Sequence, residues 1–366
     1  MTRYRPTVVE VDLDAVRHNV RRLKPERAEL MAVVKADGYG HGDVAVARAA
    51  LDAGATWLGV ALVEEGLGLR EGGIQAPILV LSEFPRGSEK EALANGLTPT
   101  LYTSEGVSAL AEAAGSVGRP VGVHVKLDTG MHRVGLWPPE EAPGFCRRVV
   151  DAGLVLEGLW THFASSEADE ATTRAQLARL LAAADAVRAE GLEPGSLHAA
   201  NSAATILYPQ SHLDLVRPGA AIYGLAAGPG LDEGLRPAMT LRSEVTFVKR
   251  LAAGERVSYG HTYELAREAT IATVPVGYED GYPRLLSSRA EVLIRGRRHR
   301  VAGTVTMDQL LVDCGDEEVS AGDEVVLLGG QGDERITAEE LASLIGTIGY
   351  EIVTAISERV PREYRG

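Results

Sequence analysis

The chain has 366 residues, 45% of them hydrophobic and 5% aromatic, with a formal net charge of -14. That length supplies two domains, or one large and one small, and the acidic balance argues against a nucleic-acid backbone as partner. Cys146 and Cys314 lack zinc-site spacing and fit a reducing cytoplasm. The start, Met1 to Pro6, has no apolar signal core and no run is long enough to cross a bilayer, so a cytoplasmic protein without metal or membrane is expected.

Val8–Leu13 alternates like a strand, and Asp14 is placed to cap a helix running to Leu23. A strand–helix rhythm follows. The strands are Leu30–Lys35, Trp57–Ala61, Pro77–Leu81, Leu97–Leu101, Val121–Leu127, Leu154–Thr161, Leu197–Ala199 and Leu213–Val216. The helices between them are His41–Ala53, Val63–Glu71, Ser88–Asn95, Ser104–Ala114, Pro139–Ala152, Thr172–Glu190 and Ser202–Tyr208. Eight parallel strands close most simply into a (β/α)8 TIM-like barrel, with a doubly wound open sheet as the competitor. The barrel is assigned to residues 1–230. In a barrel the chemistry sits at the carboxyl ends of the strands, and Lys35, Asp128, His162, Asn201 and Arg217 all fall at or just past such ends.

The pattern changes near Pro229–Pro237. Short alternating runs then read as a mostly β domain, residues 231–366: Leu241–Leu251, Arg256–Tyr259, Thr270–Val276, Ala290–Ile294, Arg300–Val305, Leu310–Cys314 and Glu324–Leu328. Its one evident helix is Ala338–Ile345, capped by Thr337. The first strand is left over from the barrel count and available to pair with this domain.

Val33-Val34-Lys35-Ala36-Asp37-Gly38-Tyr39-Gly40-His41-Gly42 carries the strongest chemical signal. A lysine ending an apolar strand loses water on one side, which lowers its pKa and frees a nucleophilic amine for imine chemistry. Most lysines at strand ends are simply solvated. The glycines also suggest a dinucleotide loop, but G-x-G-x-x-G is incomplete. Elsewhere, Lys126 and Asp128 alternate to one face, and Arg133 offers the planar fork that suits a carboxylate. Asn201 and Ser202 either cap a helix or bind an anion there. Gly219 and Ala220 follow Pro218 with consecutive N–H groups fit for phosphate oxygens.

The segment Val34 to Gly42 resembles the cofactor-lysine segment of the alanine racemases. Val125–Gly135, Val216–Gly224, Val257–Gly260, Val276–Tyr282, Val305–Gln309 and Gly349–Glu351 resemble further segments in the same order. The resemblance implies pyridoxal 5'-phosphate (PLP) held by Lys35 as a Schiff base, with Ser202 at its phosphate, Tyr39 and Tyr350 nearby, and His162 on its ring. It implies Arg217 at the pyridine nitrogen, where an arginine, protonated below about pH 12, discourages ring protonation. It places the substrate carboxylate at Arg133 and the Met307 N–H, and Tyr278 at the entrance, with Asp308 as a neighbour. Lys126 is a plain partner of Asp128 or, as in some relatives, a carbamate that holds Arg133.

Racemisation needs two bases on opposite faces of Cα. By resemblance these are Lys35 and Tyr259, the tyrosine coming from the partner subunit of a head-to-tail homodimer. Holding a tyrosine anionic near neutrality takes a shift of about three units, roughly 4 kcal/mol. The expected reaction is L-alanine to D-alanine, feeding peptidoglycan. A racemase of broader specificity, a decarboxylase on the same scaffold and a non-catalytic PLP-binding regulatory barrel are the alternatives.

Overall fold

The computed structural model describes residues 4–366. The chain forms two compact units. One comprises Ala15–Gly38 and Asp43–Arg236, the other residues 4–14, Tyr39–Gly42 and Pro237–Gly366. No helix among the described residues is long and apolar enough to cross a membrane.

The chain opens with β1 (Val8–Asp12) and α1 (Leu13–Leu23). The helix begins before Asp14, so that residue lies inside the first turn, where its charge suits the helix dipole, rather than at the cap. Then come β2 (Glu29–Val33), α2 (Lys35–Gly40), α3 (Asp43–Asp52), β3 (Trp57–Val60), α4 (Val63–Glu71), β4 (Ile78–Val80), α5 (Glu89–Ala94), β5 (Leu97–Thr98), β6 (Thr100–Leu101) and α6 (Ser104–Ala114). The unit continues with β7 (Gly122–Lys126), α7 (Ala142–Asp151), β8 (Val155–Trp160), α8 (Glu170–Ala189), β9 (Ser196–His198), α9 (Ser202–Leu207) and β10 (Leu215–Val216).

All pairings among these strands are parallel, in the orders β10-β2-β3-β4-β5 and β6-β7-β8-β9. The predicted strand Leu97–Leu101 is split at Pro99, which has no N–H for the ladder, yet its carbonyl still accepts from His124. Pairing of β10 with β2, and the bonds Asp214 N–H to Leu197 O and Arg217 N–H to Ala200 O, close the ring. The result is a (β/α)8 barrel, and the open doubly wound sheet is excluded. Met31, Leu79 and Leu215 pack together in its interior against Trp57 and Leu81. Each such fully buried side chain contributes about 1.5–3 kcal/mol.

The other unit is built on a ten-stranded sheet. Its strands are β11 (Met239–Glu244), β12 (Phe247–Leu251), β13 (Arg256–Val257), β14 (Tyr263–Glu264), β15 (Ala269–Val274), β16 (Glu291–Ile294), β17 (Arg297–Val301), β18 (Leu310–Asp313), β19 (Glu324–Gln331), β20 (Glu334–Ile336) and β21 (Arg362–Arg365). Of these, β13 and β14 form a separate hairpin. β1 lies between β11, antiparallel, and β21, parallel. Two helices complete the unit, α10 (Ala338–Ile345) and α11 (Gly349–Thr354). Val257, Leu265, Ala269, Ile271 and Ala302 form one of its apolar clusters.

Candidate active site

Strand register determines which side chains meet. β2 stops at Val33, so Lys35 is not the last strand residue but the first of α2. Val33 N–H donates to Pro218 O and Val34 N–H to Gly59 O, which sets the lysine beside the chain that leaves β10. Across the ring, Lys126 pairs with Trp160, and Trp160 with His198. These three therefore share one level at the carboxyl ends of β7, β8 and β9.

The segment after Lys35 is a left-handed turn rather than an open loop. Ala36, Asp37, Gly38 and Tyr39 have φ of 53°, 51°, 58° and 52°. For L-residues this conformation costs about 1–2 kcal/mol each. It is held by Gly38 N–H to Val34 O, by Asp43 N–H to Asp37 Oδ1, and by Glu65. The Glu65 carboxylate accepts from the N–H groups of Ala36, Ala61 and Leu62.

The barrel unit gathers positive charge. Burial, then the Arg133 guanidinium, hold the Lys35 amine below the ordinary lysine range, with Glu65 opposing. Burial, then Arg133 and Arg217, push Lys126 down to about 7. Its Nζ lies 4.3 Å from the centroid of the Trp160 ring, and it makes no ion pair with Asp128. That carboxylate instead accepts from the Gly130 and His132 N–H groups. His162 is pushed well below its usual range by burial and then by Arg217, Lys126, Arg133 and Lys35, so it is neutral at physiological pH.

Arg217 is buried and held on three sides. It donates to His198 Nδ1 at 2.9 Å, to Thr161 O at 2.7 Å and to Ala199 O at 3.1 Å. Burial lowers it to about 9, still charged near neutrality. Its Cζ lies 4.6 Å from the Trp160 centroid, and His198 stacks on the same ring.

At Asn201 and Ser202 the two sequence readings divide between the residues. Asn201 is the α9 cap, accepting from Ala204 N–H and from Ser166 Oγ. Ser202 points elsewhere. Its hydroxyl accepts from Gly219 N–H at 2.9 Å and Ala221 N–H at 3.3 Å.

In the second unit, Tyr259 starts a short 3-10 turn just after β13 instead of lying in a strand. It is 73% exposed. Ser258 before it has φ of 63°, braced by its Oγ bond to Thr304 O, and Thr304 Oγ1 donates to Tyr259 O. Tyr278 and Met307 are also exposed. Their turns are stitched by Tyr278 N–H to Thr306 O and Glu279 N–H to Met307 O, bonds that leave the Met307 N–H out. A Cβ on Gly277 would sit 2.2 Å from Met307 O, so only glycine allows this approach. The buried Asp280 carboxylate anchors the corner, accepting from Gly277 N–H and pairing with Arg5 and Arg359, while Arg359 also holds Asp308. Tyr39 and Tyr350 meet edge-on with ring centroids 6.4 Å apart, and burial pushes the Tyr39 phenol up to about 12.

Glu65, His124, Trp160 and His198 carry much of the barrel geometry without having been singled out as site residues. Glu65 follows a leucine N-cap, so no capping-box signature marks it. The other three meet only through register between distant strands.

The parallel barrel presents, at its strand ends, a depressed lysine amine among cations, an arrangement suited to an enzyme. The description "Alanine racemase, N-terminal domain" matches residues 11–227, and "Alanine racemase, C-terminal domain" matches 238–364. The alanine racemase of Symbiobacterium thermophilum is 52% identical over 99% of this chain and 98% of its own. That of Frankia casuarinae is 46% identical over 97% and 95%. The crystal structure of alanine racemase from D-cycloserine-producing Streptomyces lavendulae superposes with a TM-score of 0.94 at 42% identity, covering 100% of this chain and 98% of that one. The Bacillus anthracis enzyme, solved with bound L-Ala-P, gives 0.93 at 40% identity, covering 100% and 96%. The chain belongs to the alanine racemase family and is an isomerase of that class.

Proposed function

We propose that this chain interconverts L- and D-alanine with PLP, using Lys35 and the partner subunit's Tyr259 as bases on opposite faces of Cα. The observation that carries the reading is the Lys35 amine, depressed by burial and Arg133, in a cluster whose cations outnumber its carboxylates. An excess of buried positive charge suits an anionic cofactor and an amino acid carboxylate. The residues fit PLP. Lys35 is the covalent anchor, Ser202 with the Gly219 and Ala220 backbone the phosphate site, Asn201 its support, and Tyr39 with Tyr350 a further pair at the phosphate. His162 and Arg217 would hold its ring, Arg217 as a donor to the ring nitrogen.

Bound there, PLP would supply an electron sink that makes the Cα hydrogen of the amino acid acidic. The chain supplies the rest. Lys35, its amine held below the ordinary lysine range by burial and Arg133, moves a proton on one face. Tyr259 moves it on the other, with neutral His162 as hydrogen-bond donor. Arg133 and the Met307 N–H bind the carboxylate, and Tyr278 guards the entrance. The exposure of Tyr259 supports its use by a second chain in a head-to-tail homodimer. We assign the enzyme to the cytoplasm and its product to peptidoglycan.

The test is a racemisation assay across several amino acids with added PLP, run beside Tyr259→Phe. Alanine should turn over fastest. The variant should lose at least about 100-fold in kcat, as expected for loss of a general base, while keeping the bound-cofactor absorbance. Equal rates on bulky amino acids would favour the broader racemase, and activity unaffected in the variant would refute the second base.

A further inference from the structure

Beyond Arg217 the hydrogen bonding continues into the barrel. His198 Nε2 lies 2.8 Å from Nδ1 of His124, which is itself fully buried in β7. Proton counting allows one arrangement. Arginine only donates, so His198 Nδ1 must be bare where Arg217 meets it. A neutral imidazole has one N–H, so the His198 proton is on Nε2 and is donated to His124. His124 must then carry its own proton on Nε2. That nitrogen is buried with no partner among the described residues. An orphaned donor is a cost, so the value of this side chain lies in its other nitrogen, the acceptor. Both rings are neutral, pushed down by burial and by Arg217, His124 to about 3.

The strands are shaped for the ring. Pairing of β7 with β8 shifts register between Val123 and His124, and the residue opposite His124 is Gly158. A Cβ on Gly158 would stand 2.3 Å from His124 Nδ1. Trp57 closes the other side, edge-on, with ring centroids 5.4 Å apart.

We infer that His124 is a positioning residue for Arg217: by accepting the Nε2–H of His198 it locks the tautomer whose Nδ1 lone pair holds the arginine fork. Without that acceptor His198 can move its proton to Nδ1, where it opposes an Arg217 N–H, and the guanidinium loses one of its three fixed partners. The inference rests on the proposed function only in taking Arg217 to face the cofactor.

Nitrogen-15 NMR of histidine-labelled holoenzyme reads the tautomer directly. In the unaltered protein His198 should be protonated at Nε2 alone, and an Nδ1–H signal there would overturn the inference at once. His124→Leu removes the acceptor, whereas His124→Asn restores a carbonyl oxygen near Nδ1. The leucine variant should lose the single-tautomer pattern and about tenfold in kcat, the low end for loss of an outer-sphere partner, with KM little changed. The asparagine variant should keep both. An unchanged His198 pattern in His124→Leu, an altered pattern with full activity, or equal losses in both variants would each overturn the assignment. Should His124→Leu fail to fold, Gly158→Ala, which crowds the ring from β8, must produce the same tautomer change. A protein with the expected tautomer that binds no PLP supports this assignment and removes the functional reading instead.

Discussion

Lys126 is the residue at which the charge of the barrel is least settled by its own neighbours. It is 4% exposed, its amine rests on an aromatic face, and three cations act on it against one carboxylate. Its folded pKa of about 7 lies below the ordinary 10.5, so the unfolded chain binds the extra proton between those values. Stability contributed by this group is therefore full above the ordinary lysine range and is lost as pH falls toward about 7. A buried amine that is half neutral near pH 7 is also a nucleophile for CO2. The nitrogen bonds to carbon, releases its proton, and a cation becomes an anion beside Arg133 and Arg217. Protein equilibrated with carbon-13 bicarbonate is expected to show a carbamate resonance that is stronger at pH 8 than at pH 6 and absent in Lys126→Met. A spectrum without that resonance in the unaltered protein would leave Lys126 as a plain amine over Trp160.

At the scale of elements, the left-handed turn of α2 depends on its neighbour α4 through Glu65. Glu65→Ala strips three backbone N–H groups of a charged acceptor. Because the carboxylate is only half-buried, water recovers part of the loss, and a destabilisation of about 1–2 kcal/mol is expected in urea unfolding. The same change removes the group that raises the Lys35 pKa, so the pH at which that amine becomes neutral should move down, seen as a lower acidic limb in kcat, because the amine is free only in the substrate complex. A pH profile that does not move would separate the turn from the chemistry of the lysine. This pair of elements also marks the limit of what the sequence made legible. Helices Ser104–Ala114 and Ala338–Ile345 could be read to the residue, because apolar periodicity coincides with a capping threonine, Thr103 and Thr337 accepting at the helix starts, whereas Val63–Glu71 carries neither signal. The barrel could be counted because apolar runs alternate with helical stretches along the chain. The left-handed turn could not, since three of its residues have side chains that disfavour positive φ and are held there by a glutamate from the next repeat. Nor could α11, which has no side-chain cap, or the His124–His198–Arg217 line, whose members lie on β7, on β9 and just past β10. Lys35, Arg133 and Arg217 stood out through the glycines beside them, whereas Glu65, Trp160 and His124 have only tertiary reasons for their positions.

For the whole molecule, the central question is whether one chain completes its own site. Tyr259 is 73% exposed on a turn braced by Ser258 and Thr304, an unusual investment of backbone strain for a side chain that its own unit does not bury. If it serves the partner's lysine, two defective chains can repair one another. Lys35→Ala retains a working tyrosine and Tyr259→Phe a working lysine, and each homodimer is dead at both sites. In a mixed dimer one site combines both lesions, while the other combines the intact Lys35 of one chain with the intact Tyr259 of the other. With free exchange at equal concentrations half the dimers are mixed and half their sites are whole, so about a quarter of wild-type activity should return. If tyrosine and lysine act within one chain, mixing restores nothing, because no chain then carries both groups. Activity assayed after the two variants are mixed and given time to exchange subunits therefore decides the matter. Dilution supports the same logic: specific activity should fall as chains separate, in step with the loss of dimer by sedimentation, and a proven monomer with full turnover would exclude the shared site.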